Sequence, residues 1–332
     1  MSKAPFLHGV NLGGWLVLEK WMTPALFKGA DAVDEYTFMS QPGAKAKIDQ
    51  HRREFITEED FKWLASCGVN AVRIPVGYWI LQNDGPYVEG VKYLDWALKT
   101  AKKYNIWVLI DLHSAKGSQN GHDNSGRVGK SDWFKSKQYR EQTIATLEKL
   151  ALRYKTAKNL WGIELLNEPK PGLFHFKLRK FYKEAYARML KVVGTDVKII
   201  FHDAFTPHLL SGAIKGKNVV MDIHWYQFTV VFPWLYSLRS YFKKVIRRKK
   251  MISHLQKRQP VVIGEWSVVL SREILNGRTK SEEREAFKIH AKLQQDAYSE
   301  AAGWFYWSYK TEGRGIWNFR SLVEDGMLSL EK

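Results

Sequence analysis

The chain has 332 residues, 45% hydrophobic and 14% aromatic, with 52 Lys and Arg against 34 Asp and Glu, a formal charge of +18 at pH 7. That length suits one α/β barrel of roughly 250 residues plus insertions, and the apolar content excludes a disordered chain, which lacks the surface needed to offset ordering entropy. The single cysteine, Cys67, excludes an internal disulfide framework and a thiolate metal cluster, and no run of about 18 apolar residues exists to span a bilayer.

In chain order, the first apolar run is FLHGVNL at 6–12. It follows a start, MSKAPFLHG, without the roughly 7–15-residue apolar stretch of a secretory signal, so a cytoplasmic location is expected, or a secreted one if a leader was trimmed. The stretch from Gly13 to Phe55 is too long for a turn and is expected to form a helical flap over the mouth of the fold. Thr57, followed by Glu58, Glu59 and Asp60, reads as a helix N-cap with acidic residues against the helix dipole. Strand-like runs follow at 69–75, 106–112, 160–166, 198–203, 219–224, 260–264 and 303–308. Between them lie stripes at helical spacing: Leu94, Leu98 and Ala101; Ile144, Leu147, Ala151 and Tyr154; Ile289, Leu293, Ala297 and Ala301. The eight strand candidates are mostly continuous apolar runs, the pattern of strands covered on both faces, and their alternation with helices predicts a single (β/α)8 barrel domain over 1–332.

In such a barrel the working residues gather where the strands end, and here the ends present Asn11, Arg73, His113, Asn167 with Glu168, Asp203, His224 with Tyr226, Glu265 and Trp307. An apolar strand that ends in a charge must give it a partner or solvent. Glu168 in LLNEP and Glu265 in VIGEW close the fourth and seventh runs. Either alone reads as a solvated loop residue, but two carboxylates facing each other across a cavity are the minimum equipment for cleaving an acetal. One gives a proton to the leaving oxygen and needs a raised pKa; the other attacks or stabilises the anomeric carbon and needs donors such as Arg73 and Tyr226. No zinc-ligand spacing, phosphate-cradling loop or dinucleotide fingerprint is found, so neither metal nor organic cofactor is expected.

The segments GVNLGGWLVLEKWMTPALF at 9–27, VDEYTF at 33–38, FITEEDF at 55–61, GVNAVRIPVGYW at 68–79, IDLHSAKGSQNGHDNSG at 110–126, GIELLNEP at 162–169, HDAF at 202–205, VVIGEWS at 261–267 and GWFYWSYKTE at 303–312 carry a resemblance. The chain resembles glycoside hydrolase family 5, the cellulase family, and within it the exo-β-1,3-glucanase branch known from fungi. The resemblance implies a retaining exo-acting β-glucosidase with Glu168 as acid/base and Glu265 as nucleophile. It further implies Asn167 on the sugar 2-hydroxyl, Arg73 and His113 positioning the carboxylates, His224 and Tyr226 orienting them, and Trp307 as a platform under the sugar. Glu19 and Asp123 would bind the nonreducing-end hydroxyls and close the site into a pocket. His122 departs from the branch, which usually carries an aromatic residue there. Alternatives are a β-glucosidase on short oligosaccharides or steryl and lipid glucosides, and, from another class, an inactive barrel that binds sugars or surfaces.

An apolar and basic insertion spans about 228–258. FTVVFPWLYSL at 228–238 leads into Arg239, Lys243, Lys244, Arg247, Arg248, Lys249, Lys250, Lys257 and Arg258, and no acidic residue occurs from Ile223 to Gly264. Three readings stand: a solvated helix face, peripheral contact with an anionic membrane, and sequence-blind nucleic-acid binding, the last without a recognised reading motif. The expected partner is a β-glucan or β-glucoside substrate, met by a monomer.

Overall fold

The protein is described here from a computed structural model covering residues 5–226 and 237–330. Eight parallel strands close into one barrel in chain order: β1 (Leu7–Asn11), β2 (Ala71–Gly77), β3 (Trp107–Ser114), β4 (Leu160–Glu164), β5 (Lys198–His202), β6 (Val219–Trp225), β7 (Val261–Trp266) and β8 (Gly303–Tyr306). β8 returns to pair with β1, so no edge is left open. All eight expected strands are present. β2 and β3 run two residues further than the apolar runs suggested, which puts Arg73 in mid-strand and His113 inside β3 rather than beyond its end.

The alternation of side chains along each strand divides the barrel into layers. Outward residues such as Val72, Ile110, Ile163 and Ile263 pack under the surrounding helices. Inward, Leu7, Ala71, Leu109, Trp161, Ile200, Val220, Val262 and Phe305 form an apolar floor. Two to four residues further along, the same inward face becomes polar: Asn11 pairs in register with Arg73, Asp111 with Glu164, and His202 with Asp222. All six are buried. The chemistry therefore rests on a charged layer sealed from below by hydrocarbon.

The flap between β1 and β2 contains the short helices Glu35–Met39 and Ala44–Glu54, with its own core of Leu18, Phe27, Phe38 and Ile48. Thr57 caps the next helix, Glu58–Ser66, through a reciprocal box with Asp60. The helix before β8, Lys280–Tyr298, corrects one expectation: Ile289 faces solvent, and Ala301 lies beyond the helix end. Its inward face carries His290 and Gln294 instead, because these hydrogen-bond the carbonyls of Val268 and Ser267 in the loop after β7 at 2.9 Å each. Polar residues win the buried stripe where loop carbonyls need donors.

Of the basic insertion, residues 227–236 lie outside the described residues. The remainder forms the helix Leu238–Gln256, buried through Tyr241, Val245, Ile252 and Leu255. Eight of the nine basic residues are exposed, whereas Arg248 turns inward and sits 4.4 Å over the Trp225 ring. Among the described residues, no helix is long and apolar enough to cross a membrane.

Candidate active site

A cavity of about 320 Å³ opens at the C-terminal end of the barrel, lined among the described residues by Glu19, Trp21, His113, Asn124, Glu168, Tyr226, Glu265, Trp307 and Trp317. Arg73 lies beneath it, fully buried, and its planar fork engages four strands at once. Nε donates to Glu164 (2.9 Å), Nη1 to Asn11 (2.9 Å) and Glu265 (3.0 Å), Nη2 to Asn167 (2.9 Å), and Nη2 also lies 3.1 Å from Asp111. Only guanidinium offers five donors in one plane, which explains an arginine here.

Glu265 reaches the cavity by an irregularity. Along β7, Val262 faces in and Ile263 out, so strict alternation would turn Glu265 outward. The pairing with β6 slips at Gly264, and Glu265 comes to lie beside His224. A Cβ on Gly264 would fall 1.9 Å from Asp222 Oδ2, and its backbone N–H donates to Asp222 Oδ1 at 2.6 Å, so the glycine of GEW is needed for close approach. Both Glu265 oxygens then accept hydrogen bonds, Oε1 from Arg73 and Oε2 from the Tyr226 hydroxyl at 2.6 Å.

Glu168 stands four residues past β4 on a turn, at φ +39°, a left-handed conformation uncommon for a side chain of this kind. His224 Nδ1 meets Glu168 Oε1 at 2.9 Å and lies 3.5 Å from Glu265 Oε2. Laid end to end, these distances cap the gap between those two oxygens at about 6.4 Å. That bound lies below the roughly 6.5–9.5 Å that leaves room for a water between the carboxylates and is compatible with a pair working through a covalent intermediate.

Burial disfavours a charged His224, but Glu265, Asp222 and Glu168 surround it and hold its pKa well above the usual value. Burial likewise pushes Glu168 up, yet the hydrogen bond and positive charge of His224 reverse this and hold its carboxyl well below the usual range. Glu265 goes the other way: burial raises it, and His224 and Arg73 only partly offset the rise. This reverses the order expected from sequence, where the residue after Asn167 was to be the raised one. The reason is His224, which takes up the proton and shares it along its hydrogen bond with Glu168.

Below, Glu164 is raised well above the carboxylate range by burial, outweighing Arg73, with Asp111 and Asp222 adding to the rise. Glu164, Asp222 and His224 approach closely enough to suggest a metal site, as do Glu168, His202 and His224. The fixed cation already there is the Arg73 guanidinium, 2.9 Å from Glu164 and 3.9 Å from Asp222, and a metal ion beside it would be repelled.

The remaining expected residues fall as follows. His113 and Trp307 lie in parallel planes (4°) with centroids 5.6 Å apart, and His113 Nδ1 meets Asp111 at 2.6 Å. Gly13 makes room for the indole: a Cβ there would come within 2.9 Å of Trp307. Asn167 keeps its amide nitrogen 3.4 Å from His113. Glu19 accepts from Trp21 Nε1 at 2.8 Å, and burial with the nearby Asp123 charge raises its pKa well above the usual range. Asp123 is outside the cavity lining, and His122 turns aside to contact Lys170.

Sequence reasoning missed the carboxylate layer of Asp111, Glu164 and Asp222, and it missed Asn124, which donates to Glu168 Oε2 at 2.9 Å. The carboxylates left a signal: each interrupts an apolar strand two or three residues above a floor position. Asn124 left none.

Comparison with known proteins agrees with this geometry. The family model described as Cellulase (glycosyl hydrolase family 5) matches residues 34–313. The "Probable glucan 1,3-beta-glucosidase A" of Emericella nidulans is 37% identical over 365 aligned positions, covering 97% of this chain and 89% of the relative. The "Glucan 1,3-beta-glucosidase" of Blumeria graminis is 34% identical, covering 97% and 86%. Among solved structures, the rutinosidase from Aspergillus niger superposes with a TM-score of 0.84 at 21% identity, covering 98% of each chain, a likeness of fold.

Proposed function

The chain belongs to glycosyl hydrolase family 5, and on that premise we propose that it removes terminal β-D-glucose from the nonreducing end of β-1,3-glucans and short β-glucosides, with retention of configuration. It is a glycoside hydrolase by family, and the specific reading rests on one observation: His224 bridges Glu168 and Glu265 at the rim of a small pocket. Glu265, held at both oxygens, attacks the anomeric carbon. His224 passes its proton through Glu168 to the leaving oxygen, which leaves Glu168 ionised and His224 neutral. A water then gives a proton to Glu168, which returns it to His224, while the water oxygen displaces Glu265 from the anomeric carbon and releases β-glucose. Glu19, whose carboxyl burial raises well above the usual range, lines the pocket where the nonreducing-end hydroxyls would lie, with Asp123 behind it, and Trp307 offers a flat face to the sugar C–H groups.

The test is incubation with laminari-oligosaccharides, gentiobiose, cellobiose and a steryl glucoside, following the anomeric form of the first product, with Glu265→Gln as control. Release of β-glucose that the substitution abolishes is expected. Release of α-glucose, or of internal fragments only, would defeat the reading. A second reading concerns where substrate is met: the eight exposed cations at 239–258 favour peripheral contact with an anionic membrane, where a glucolipid would be presented.

A further inference from the structure

A second cavity, of about 440 Å³, opens beside the loops after β2 and β3 and shares no lining residue with the active site. The wall between them is the loop after β3. On one side of it Asn124 holds Glu168; Ser114 Oγ donates to the Asn124 carbonyl at 3.0 Å, and the next residue, Ser125, lines the second cavity and pairs with Ser118 at 2.7 Å.

Four tyrosines from separate segments converge on it: Tyr36, Tyr78, Tyr87 and Tyr139. Tyr139 rests on bare backbone, since a Cβ on Gly117 (φ +86°) would fall 2.2 Å from its ring. Tyr36 and Tyr78 each stand edge to face with Tyr87, at 5.8 Å between centroids. The lining carries both signs of charge, Lys116, Arg127 and Lys130 together with Asp84 and Asp132. Lys116 pairs with Asp84 at 2.7 Å, and the Arg127 guanidinium lies 3.9 Å over the Tyr36 ring. Asp132, also in the lining, is met by Lys135 at 3.1 Å.

Cations and carboxylates stand side by side in the lining, so the site offers hydrogen-bond donors and acceptors together. A neutral polyol finds what it needs: aromatic faces for its C–H groups, ammonium and phenol donors, and carboxylate acceptors for its hydroxyls. The volume falls within the ~300–1,000 Å³ of small-molecule sites. We propose that this cavity is a second, noncatalytic saccharide site that holds a further stretch of a neutral β-glucan, or a second oligosaccharide, beside the catalytic loop. The proposal rests on the glucan-hydrolase reading above. By tethering a polymer, the site raises the effective concentration of chain ends at the active site without touching the bond that breaks.

The experiment titrates the full chain carrying Glu265→Gln with laminaritriose by calorimetry, and locates the sugar in soaked crystals. Two equivalents are expected, one in each cavity. Adding Lys116→Ala or, independently, Tyr139→Ala should abolish the second while the first remains. In the active chain the same two substitutions should leave kcat/KM on an aryl β-glucoside within about twofold and raise KM for laminarin by roughly the several-fold factor that tethering supplies. One equivalent, seated in the active site and unaffected by either substitution, overturns the second site and leaves the catalytic reading intact. No binding at all, together with no turnover of the aryl glucoside by the active chain, overturns both.

Discussion

Replacing Arg73 by Met removes the guanidinium while keeping an unbranched side chain of similar reach. Six groups lose a partner, but not at equal cost. Burial already pushes Glu164 well above the usual carboxylate range, Asp111 keeps His113 at 2.6 Å, and Asp222 keeps His224 at 3.4 Å. Glu265 keeps Tyr226 at 2.6 Å and His224 at 3.5 Å and loses the guanidinium. Because each acid retains something, the expected destabilisation lies at the lower end of that for breaking a buried ion pair, about 3 kcal/mol. At the ~2–4 °C per kcal/mol typical of large domains, this lowers Tm by roughly 6–12 °C.

The catalytic effect is separable. Without Arg73 the Glu265 carboxyl rises further, and it must be ionised to attack, so the acidic limb of the kcat/KM profile moves to higher pH. The loss of one aimed charge costs about 10²–10³ in rate. Thermal melts and pH profiles on an aryl β-glucoside measure both. Arg73→Lys should recover part of the Tm and little of the rate, since an ammonium cannot reproduce the fork. An unchanged Tm, or an acidic limb that stays or moves to lower pH, would refute the reasoning.

Two further outcomes are expected. Burial pushes Asp203 up to about 7, so the folded state holds a proton that the unfolded chain releases as pH rises from about 4 to 7, and stability falls across that window. Asp203→Asn keeps an acceptor for the Phe205 N–H and should be more stable than the parent at pH 8, on the order of 2–4 kcal/mol, with the gap closing below about pH 4; a gap that does not change with pH would sink this account. For the basic helix, liposomes rich in phosphatidylserine should sediment the protein at low salt and release it at high salt. Replacing Lys243, Lys244, Arg247 and Lys250 by Gln should weaken this by up to about a thousandfold, at ~1 kcal/mol per charge, and binding that survives those changes would remove the membrane reading.

The sequence by itself determined the barrel. Eight runs that are apolar on both faces can be covered only in a closed parallel sheet wrapped by helices, and the runs kept their places. It also marked Glu168 and Glu265 through the segments around them. What it could not decide is where those carboxylates point and which of them is charged. Alternation along β7 would have turned Glu265 toward the helices; the slip at Gly264, which exists only because β6 and β7 pair, turns it inward. Glu168 stands off its strand in a left-handed turn that no local pattern announces. The protonation order is the work of His224, which meets Glu168, Glu265 and Asp222 from positions 41 to 56 residues away or from its own strand. Alternation is local and can be read from a strand of five residues, whereas a pKa depends on every charge within a few ångströms, and only the closed barrel brings those charges together.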